Sequence, residues 1–142
     1  MKRLLWLTLL LTGCPKPPAP AAAVVETLAF QSLGAFEYKD KMKLPDDVTR
    51  WNGKLVHATG FINPTSQARN LTTFLLVKDR ASCCFGKRPQ INHFIEVKLK
   101  PGQTADYSTE PITIRGVLQV DDRWDGDWQL GLYWMDGAEV VK

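Results

Sequence analysis

The chain contains 142 residues, of which 44% are hydrophobic and 23% charged, and its formal net charge is +3. This length is sufficient for one domain with a substantial hydrophobic core. The small excess of basic residues does not indicate a nucleic-acid-binding face, which would require a cluster of positive charge.

The first fourteen residues have the pattern of an export signal. Two basic residues precede an apolar run at 4–11 that is too short to span a bilayer, and small residues then lead to Cys14. The string LTGC at 11–14 resembles the lipobox of bacterial lipoproteins, which implies cleavage before Cys14 and attachment of lipid to it. We therefore expect residues 1–13 to be a lipoprotein signal peptide. Several acyl chains would then hold the protein on a membrane of the bacterial envelope, at the periplasmic face or the outer membrane.

A proline- and alanine-rich segment, PKPPAPAAA at 15–23, follows the predicted lipidation site. Proline favours extended polyproline geometry, so we expect a semi-rigid spacer between the lipid and the domain. Loss of the signal peptide lowers the number of basic residues from 18 to 16 against 15 acidic ones, which leaves a net charge near +1. The remainder of the segment 14–43 mixes helical and strand-like spacing. We expect partial order there, with Phe30, Leu33 and Phe36 packed against the domain.

Residues 44–142 are predicted to form the folded domain, and their pattern is mainly β. Asp46 is expected to cap a short helix that ends at Asn52-Gly53. Apolar runs then predict five strands, at 55–62, 72–77, 94–99, 112–120 and 128–135. Gly60, within the first of these runs, indicates a bulge or a sharp bend of the strand.

Five strands with little room for helix favour a small, closed, OB-like barrel. The strings at 53–62 and 112–120 resemble the first and fourth strands of such a barrel, and closure would remove exposed strand edges. A helix usually lies between the third and fourth strands, but residues 100–111 contain no helical pattern. We therefore expect an abbreviated barrel, with an antiparallel sandwich as the alternative.

The candidate site lies between the second and third predicted strands, where the string C-C-F-G-x-x-P-x-x-N runs from Cys83 to Asn92. Together with L-P-x-x-V at 44–48 and G-K-x-V-x-x-x-G-F at 53–61, it resembles a family of uncharacterised bacterial envelope lipoproteins. It is also distantly similar to the C-terminal β domain of a bacterial membrane-protein family with paired cysteines after a strand. The resemblance implies an envelope location and a role for the paired cysteines, but no named activity.

The pair Cys83 and Cys84 allows three chemical states. On a turn, the two thiolates could bind zinc or copper(I) together with His93, and His57 is a weaker candidate. Outside the cytoplasm the pair could instead form a vicinal disulfide that acts as a thiol switch. The third alternative is a buried pair that serves only packing. Because the chain has three cysteines, a lipidated Cys14 would leave these two thiols with no other partner in the chain.

Aromatic and acidic residues are concentrated near the last two predicted strands. The acidic string at 121–127 is interpreted as a hairpin with its turn at Asp125-Gly126, rather than as a calcium loop. Four aromatic side chains are expected either in the core or on a partner-binding surface: Trp124, Trp128, Tyr133 and Trp134.

No catalytic set is recognisable, because the chain contains no nucleophile elbow, phosphate loop or dinucleotide fingerprint. We therefore expect a lipid-anchored binding module rather than an enzyme, in which the paired cysteines hold a soft metal ion or act as a thiol switch. One alternative is a structural or adaptor lipoprotein that docks an envelope partner through the aromatic hairpin. A second alternative is a thiol oxidoreductase.

Overall fold

The structure, a computed structural model, describes residues 23–64, 67–81 and 88–142. The predicted signal peptide, Cys14, most of the spacer and the pair Cys83-Cys84 lie outside these residues. Both helices of this part of the chain are short, and no helix there is long and apolar enough to cross a membrane. The elements are β1 (Glu26–Thr27), α1 (Phe30–Leu33), α2 (Asp46–Thr49), β2 (Lys54–Pro64), β3 (Thr73–Val77), β4 (Phe94–Leu99), β5 (Ile112–Asp125) and β6 (Trp128–Val141).

Strands β2 to β6 form a closed barrel. Their order is β2-β3-β4-β6-β5, and antiparallel pairing of β2 with β5 closes the sheet on itself. Strands β4 and β6 are parallel, whereas the other neighbouring pairs of the barrel are antiparallel. This is the Greek-key arrangement of an OB barrel, so the prediction of a mainly β, five-stranded closed barrel is confirmed. The connection from β4 to β5, residues 100–111, contains no helix.

Gly60 lies where β2 changes its neighbour. The residues from Lys54 to Gly60 pair with β5, and those from Phe61 to Pro64 pair with β3. A Cβ atom at Gly60 would lie 2.5 Å from the carbonyl oxygen of Val77, so β2 and β3 approach too closely here for any side chain. Because Gly60 has no side chain, β2 can pair with β5 up to this residue and with β3 beyond it.

The core extends beyond the barrel into the N-terminal strap, which we define as residues 24–43. The strap begins with β1, which pairs in parallel with β2. As expected from the sequence, Phe30 and Leu33 are buried in the core and Phe36 packs against it. The fully buried Tyr133 donates a 2.7 Å hydrogen bond from its hydroxyl to the carbonyl oxygen of Leu33. The folded unit thus extends to the N-terminal side of residue 44.

Helix α2 begins without the predicted aspartate cap. Pro45 occupies the N-cap position with φ −60°, Asp46 is the first helical residue, and no side-chain cap hydrogen bond forms. The expectation that Asp46 caps the helix is therefore wrong, although its charge still lies at the favourable positive end of the helix dipole. After the helix, Gly53 adopts a φ of 79°, which turns the chain into β2.

Strands β5 and β6 form a hairpin that is longer than the sequence predicted. Each strand has 14 residues, and their pairing continues to Asp125 and Trp128. Gly126 and Asp127 therefore form a two-residue turn, one residue beyond the predicted position, with φ 59° at Gly126. Most of the acidic string at 121–127 consequently lies within strand.

Candidate functional site

The chain that follows the cysteine pair is fixed against the hairpin tip, which we define as residues 121–130. The Arg88 guanidinium donates to the carbonyl oxygen of Leu130, and its other terminal nitrogen lies 3.5 Å from the carbonyl oxygen of Gln129. These oxygens are available because this part of β6 is not paired with β4. The guanidinium carbon also lies 5.2 Å from the centre of the Phe94 ring. Arg88 thus covers a strand edge and holds its own segment beside it.

Asn92 and His93 fix the same segment to the N-terminal strap. Asn92 is buried, and its amide nitrogen donates a 2.7 Å hydrogen bond to the carbonyl oxygen of Phe36. The half-buried His93 ring lies against Gly34, where an added Cβ atom would be 2.7 Å from Cδ2. Two sides of the molecule, the hairpin tip and the strap, therefore hold residues 88–93.

Replacement of Asn92 by alanine is expected to lower the free energy of unfolding by about 2 kcal/mol, because the buried amide is lost and the carbonyl of Phe36 loses its donor. Urea unfolding followed by tryptophan fluorescence measures this loss. The matched control is Gln90→Ala, an exposed position in the same segment, for which a change within about 0.5 kcal/mol is expected. Equal effects of the two variants would contradict an anchoring role for Asn92.

The four aromatic residues of the predicted partner surface do not share one exposed face. Tyr133 is fully buried in the barrel core, and Trp134 is also buried, with its indole nitrogen 2.9 Å from the carbonyl oxygen of Asp121. Trp124 is half-buried, and its indole nitrogen has no hydrogen-bond partner among the described residues. Trp128, by contrast, is 80% exposed. Of these four side chains, Trp128 is the one available to an external partner.

A second apolar cluster lies outside the main core. Val77, Phe94 and Trp134 are buried, yet they do not belong to the cluster that fills the barrel. Two arginines cover it, with the guanidinium carbon of Arg88 5.2 Å from the centre of the Phe94 ring and that of Arg123 4.3 Å from the Trp134 ring. Such cation–π contacts account for the burial of large aromatic rings on an outer face of a small barrel.

Glu96 lies on this outer face, opposite Leu75 in β3 and Trp134 in β6. Burial raises the pKa of Glu96 above its ordinary value, while the nearby charge of Arg88 opposes the increase. A raised carboxyl pKa means that the ionised form costs stability in the folded state. This cost is complete above the folded-state pKa, and it disappears as the pH falls below the ordinary pKa of glutamate.

Replacement of Glu96 by glutamine is therefore expected to raise the melting temperature at neutral pH. The gain should vanish in acid, because the wild-type carboxyl is then neutral in both the folded and the unfolded state. Thermal unfolding across a pH series measures the difference. Glu110→Gln, in an exposed loop, serves as the control and should show no such pattern, and a gain for Glu96→Gln that persisted in acid would contradict this assignment.

A cavity of about 410 Å³ lies where the strap, the segment 88–93 and the hairpin tip meet. Its wall includes Tyr38, whose hydroxyl donates a 2.7 Å hydrogen bond to Asp122. Burial, together with this hydrogen bond, raises the pKa of Tyr38. Gln129 donates to the other oxygen of the same carboxylate at 2.8 Å. The carboxylate thus joins the strap to the hairpin tip.

The predicted metal ligands fall partly outside the described chain. Cys83 and Cys84 lie in the segment 82–87, which the structure does not describe, whereas His93 directly precedes β4. His57 lies in the middle of β2, opposite Arg115. Among residues 23–64, 67–81 and 88–142, no three side chains of histidine, cysteine, aspartate or glutamate are grouped closely enough to hold a metal ion.

The closed barrel, with its strap and its fixed segment after the cysteine pair, defines a small OB-like β protein. The model of a family described as proteins of unknown function, DUF3299, matches residues 14–142, and the chain belongs to this family. The expected membership of an uncharacterised family is thus confirmed.

A comparison with solved structures supports the fold. The chain is similar to a DUF3299 family protein from Pseudomonas aeruginosa PAO1, whose crystal structure matches with a TM-score of 0.51. The sequence identity is 22%, and the match covers 92% of this chain and 89% of that chain. Among curated proteins, none matches the chain.

Proposed function

We propose that the protein is a lipid-anchored binding module of the bacterial envelope, in which Cys83, Cys84 and His93 bind a soft metal ion such as zinc or copper(I). The observation that carries this proposal is the double anchoring of the segment after the cysteines, by Arg88 on the hairpin tip and by Asn92 on the strap. A metal-binding loop needs such support, because its ligands must be held close to the geometry of the bound ion.

The ligand types agree with this proposal. Paired thiolates with an imidazole favour zinc or copper(I) over hard cations. His93 is half-buried against Gly34, so its ring is already restrained before any ion binds. The alternative use of the same pair is a thiol switch, since a disulfide between adjacent cysteines closes a small, strained ring that is readily reduced.

Elemental analysis of the reduced, purified mature protein tests the metal site. We expect a stoichiometric zinc or copper content that is lost in Cys83→Ser, Cys84→Ser and His93→Gln. The control His57→Gln changes the other histidine of the chain, half-buried in β2, and should retain the metal. Protein that binds neither metal would contradict the metal site.

Thiol alkylation of protein taken directly from the envelope separates the two uses of the pair. Thiols that react only after reduction would support the switch. Free thiols in protein that also binds no metal would contradict both uses.

A second candidate function, docking of an envelope partner as an adaptor, is favoured by the exposure of Trp128 and Leu130 at the hairpin tip. Site-specific crosslinking in cells, with Trp128→Ala for comparison, tests it. A crosslinked partner that is lost in the variant would support the adaptor, and the absence of any partner would contradict it.

A further inference from the structure

The hairpin tip presents apolar side chains to solvent. Trp128 and Leu130 are 80% and 40% exposed, and as residues i and i+2 of one strand they lie on the same face. An exposed tryptophan next to an exposed leucine offers apolar surface, together with an indole N–H donor, to a partner or a membrane.

The direction of the strands relates this tip to the N-terminus. Val56 of β2 is paired in parallel with Glu26 of β1 and in antiparallel fashion with Gly116 of β5. The chain that precedes Glu26 therefore leaves the barrel in the same direction as β5 runs toward the tip. Val24 marks this exit and is 81% exposed. The described chain at Val24 and the hairpin tip thus lie toward the same end of the barrel.

Glu26, Val56 and Gly116 lie at one level of the sheet. From this level, the hairpin and the chain back to Cys14 can span similar distances. The hairpin runs from Gly116 to Asp125, which at about 3.3 Å per residue extends at most about 30 Å, because register shifts in its pairing with β6 bend the strand. The chain from Glu26 back to Cys14 spans at most about 37 Å in the polyproline geometry that its prolines favour, at about 3.1 Å per residue. An acyl group on Cys14 would therefore allow the membrane surface to lie at the level of the tip.

We infer that the hairpin tip contacts the membrane that holds the anchor and places the Trp128 indole in the headgroup layer. This inference rests on the proposed lipidation of Cys14. Tryptophan favours this layer because its ring is apolar and its nitrogen is a hydrogen-bond donor. The exposed carboxylates of Asp125 and Asp127 lie directly before the turn and within it, so the tip favours ammonium-bearing headgroups over anionic ones.

Fluorescence quenching by brominated acyl chains tests the contact. The full mature lipoprotein is reconstituted in vesicles of phosphatidylethanolamine and phosphatidylcholine with a brominated fraction. We expect part of the tryptophan emission to be quenched, and this quenched part to disappear in Trp128→Phe. The matched control is Trp124→Phe, which alters a half-buried ring of the same hairpin and should leave the quenching unchanged. Replacement of phosphatidylcholine by phosphatidylglycerol should weaken the quenching of Trp128.

The outcomes distinguish the membrane contact of the hairpin tip from the lipid anchor on Cys14. Acylated protein that sediments with vesicles but shows no quenching of Trp128 overturns the contact and leaves the anchor intact. If the tip crosslinks to a protein and its fluorescence is not quenched by lipid, the membrane contact is overturned in favour of the adaptor function. A mass spectrum without acyl groups on Cys14 overturns the anchor and the contact together.

Discussion

Replacement of Gly60 by alanine is expected to lower the free energy of unfolding by about 3 kcal/mol. The added Cβ atom would lie 2.5 Å from the carbonyl oxygen of Val77 and 3.1 Å from the Leu76 side chain. The first of these neighbours is backbone, which cannot move aside without disrupting the pairing of β2 with β3. Urea unfolding of the mature protein measures the loss.

Gly53→Ala provides a matched control, because the same atom is added where no other atom lies within 4 Å. Its cost is limited to the positive φ of 79°, which for alanine amounts to about 1 kcal/mol. If the two variants lost equal stability, the close approach at Gly60 would not be what restricts that position. The comparison therefore separates contact between strands from backbone strain.

Replacement of Leu33 by alanine is also expected to cost about 3 kcal/mol, because a fully buried side chain is removed and a cavity remains. Leu33 belongs to the strap, and its carbonyl accepts the Tyr133 hydrogen bond from the centre of the barrel. A loss of this size, measured as a shift of the urea midpoint without a change in slope, would show that the strap unfolds together with the barrel.

The exposed Val24 of the same strap supplies the comparison for Leu33. Val24→Ala should change the free energy of unfolding by no more than about 0.5 kcal/mol. A negligible effect of Leu33→Ala, similar to that of Val24→Ala, would contradict the view that the strap belongs to the cooperative core.

The strands of the barrel could be located from the sequence, but the length of the hairpin could not. Val56, Ala58 and Ile62 are buried and alternate with more exposed residues, and such alternation is a local property of a half-buried strand. Beyond Val120 the alternation ends and an acidic string begins, so the prediction ended there. Pairing between β5 and β6 continues nevertheless, supported by contacts such as that of Tyr38 with Asp122.

The candidate site was also only partly predictable. The string from Cys83 to Asn92 identified the segment, and a polar residue two positions before a buried strand is a signal that could have found Asn92. Its partner, the carbonyl of Phe36, is 56 residues away, and the Arg88 contact spans 42 residues to Leu130. No local pattern encodes such pairs.

The sequence by itself determined the barrel class, the approximate strand positions and the packing of Phe30 and Leu33. The reason is that regularly spaced apolar residues indicate which side chains are buried. Only the tertiary structure decided that Tyr133 and Trp134 are buried while Trp128 is exposed. It likewise decided that β1 enters the sheet from the end of the barrel toward which β5 runs. The physical reason is that exposure and direction depend on which distant strands pair, and long-range pairing leaves no periodic signal in the sequence.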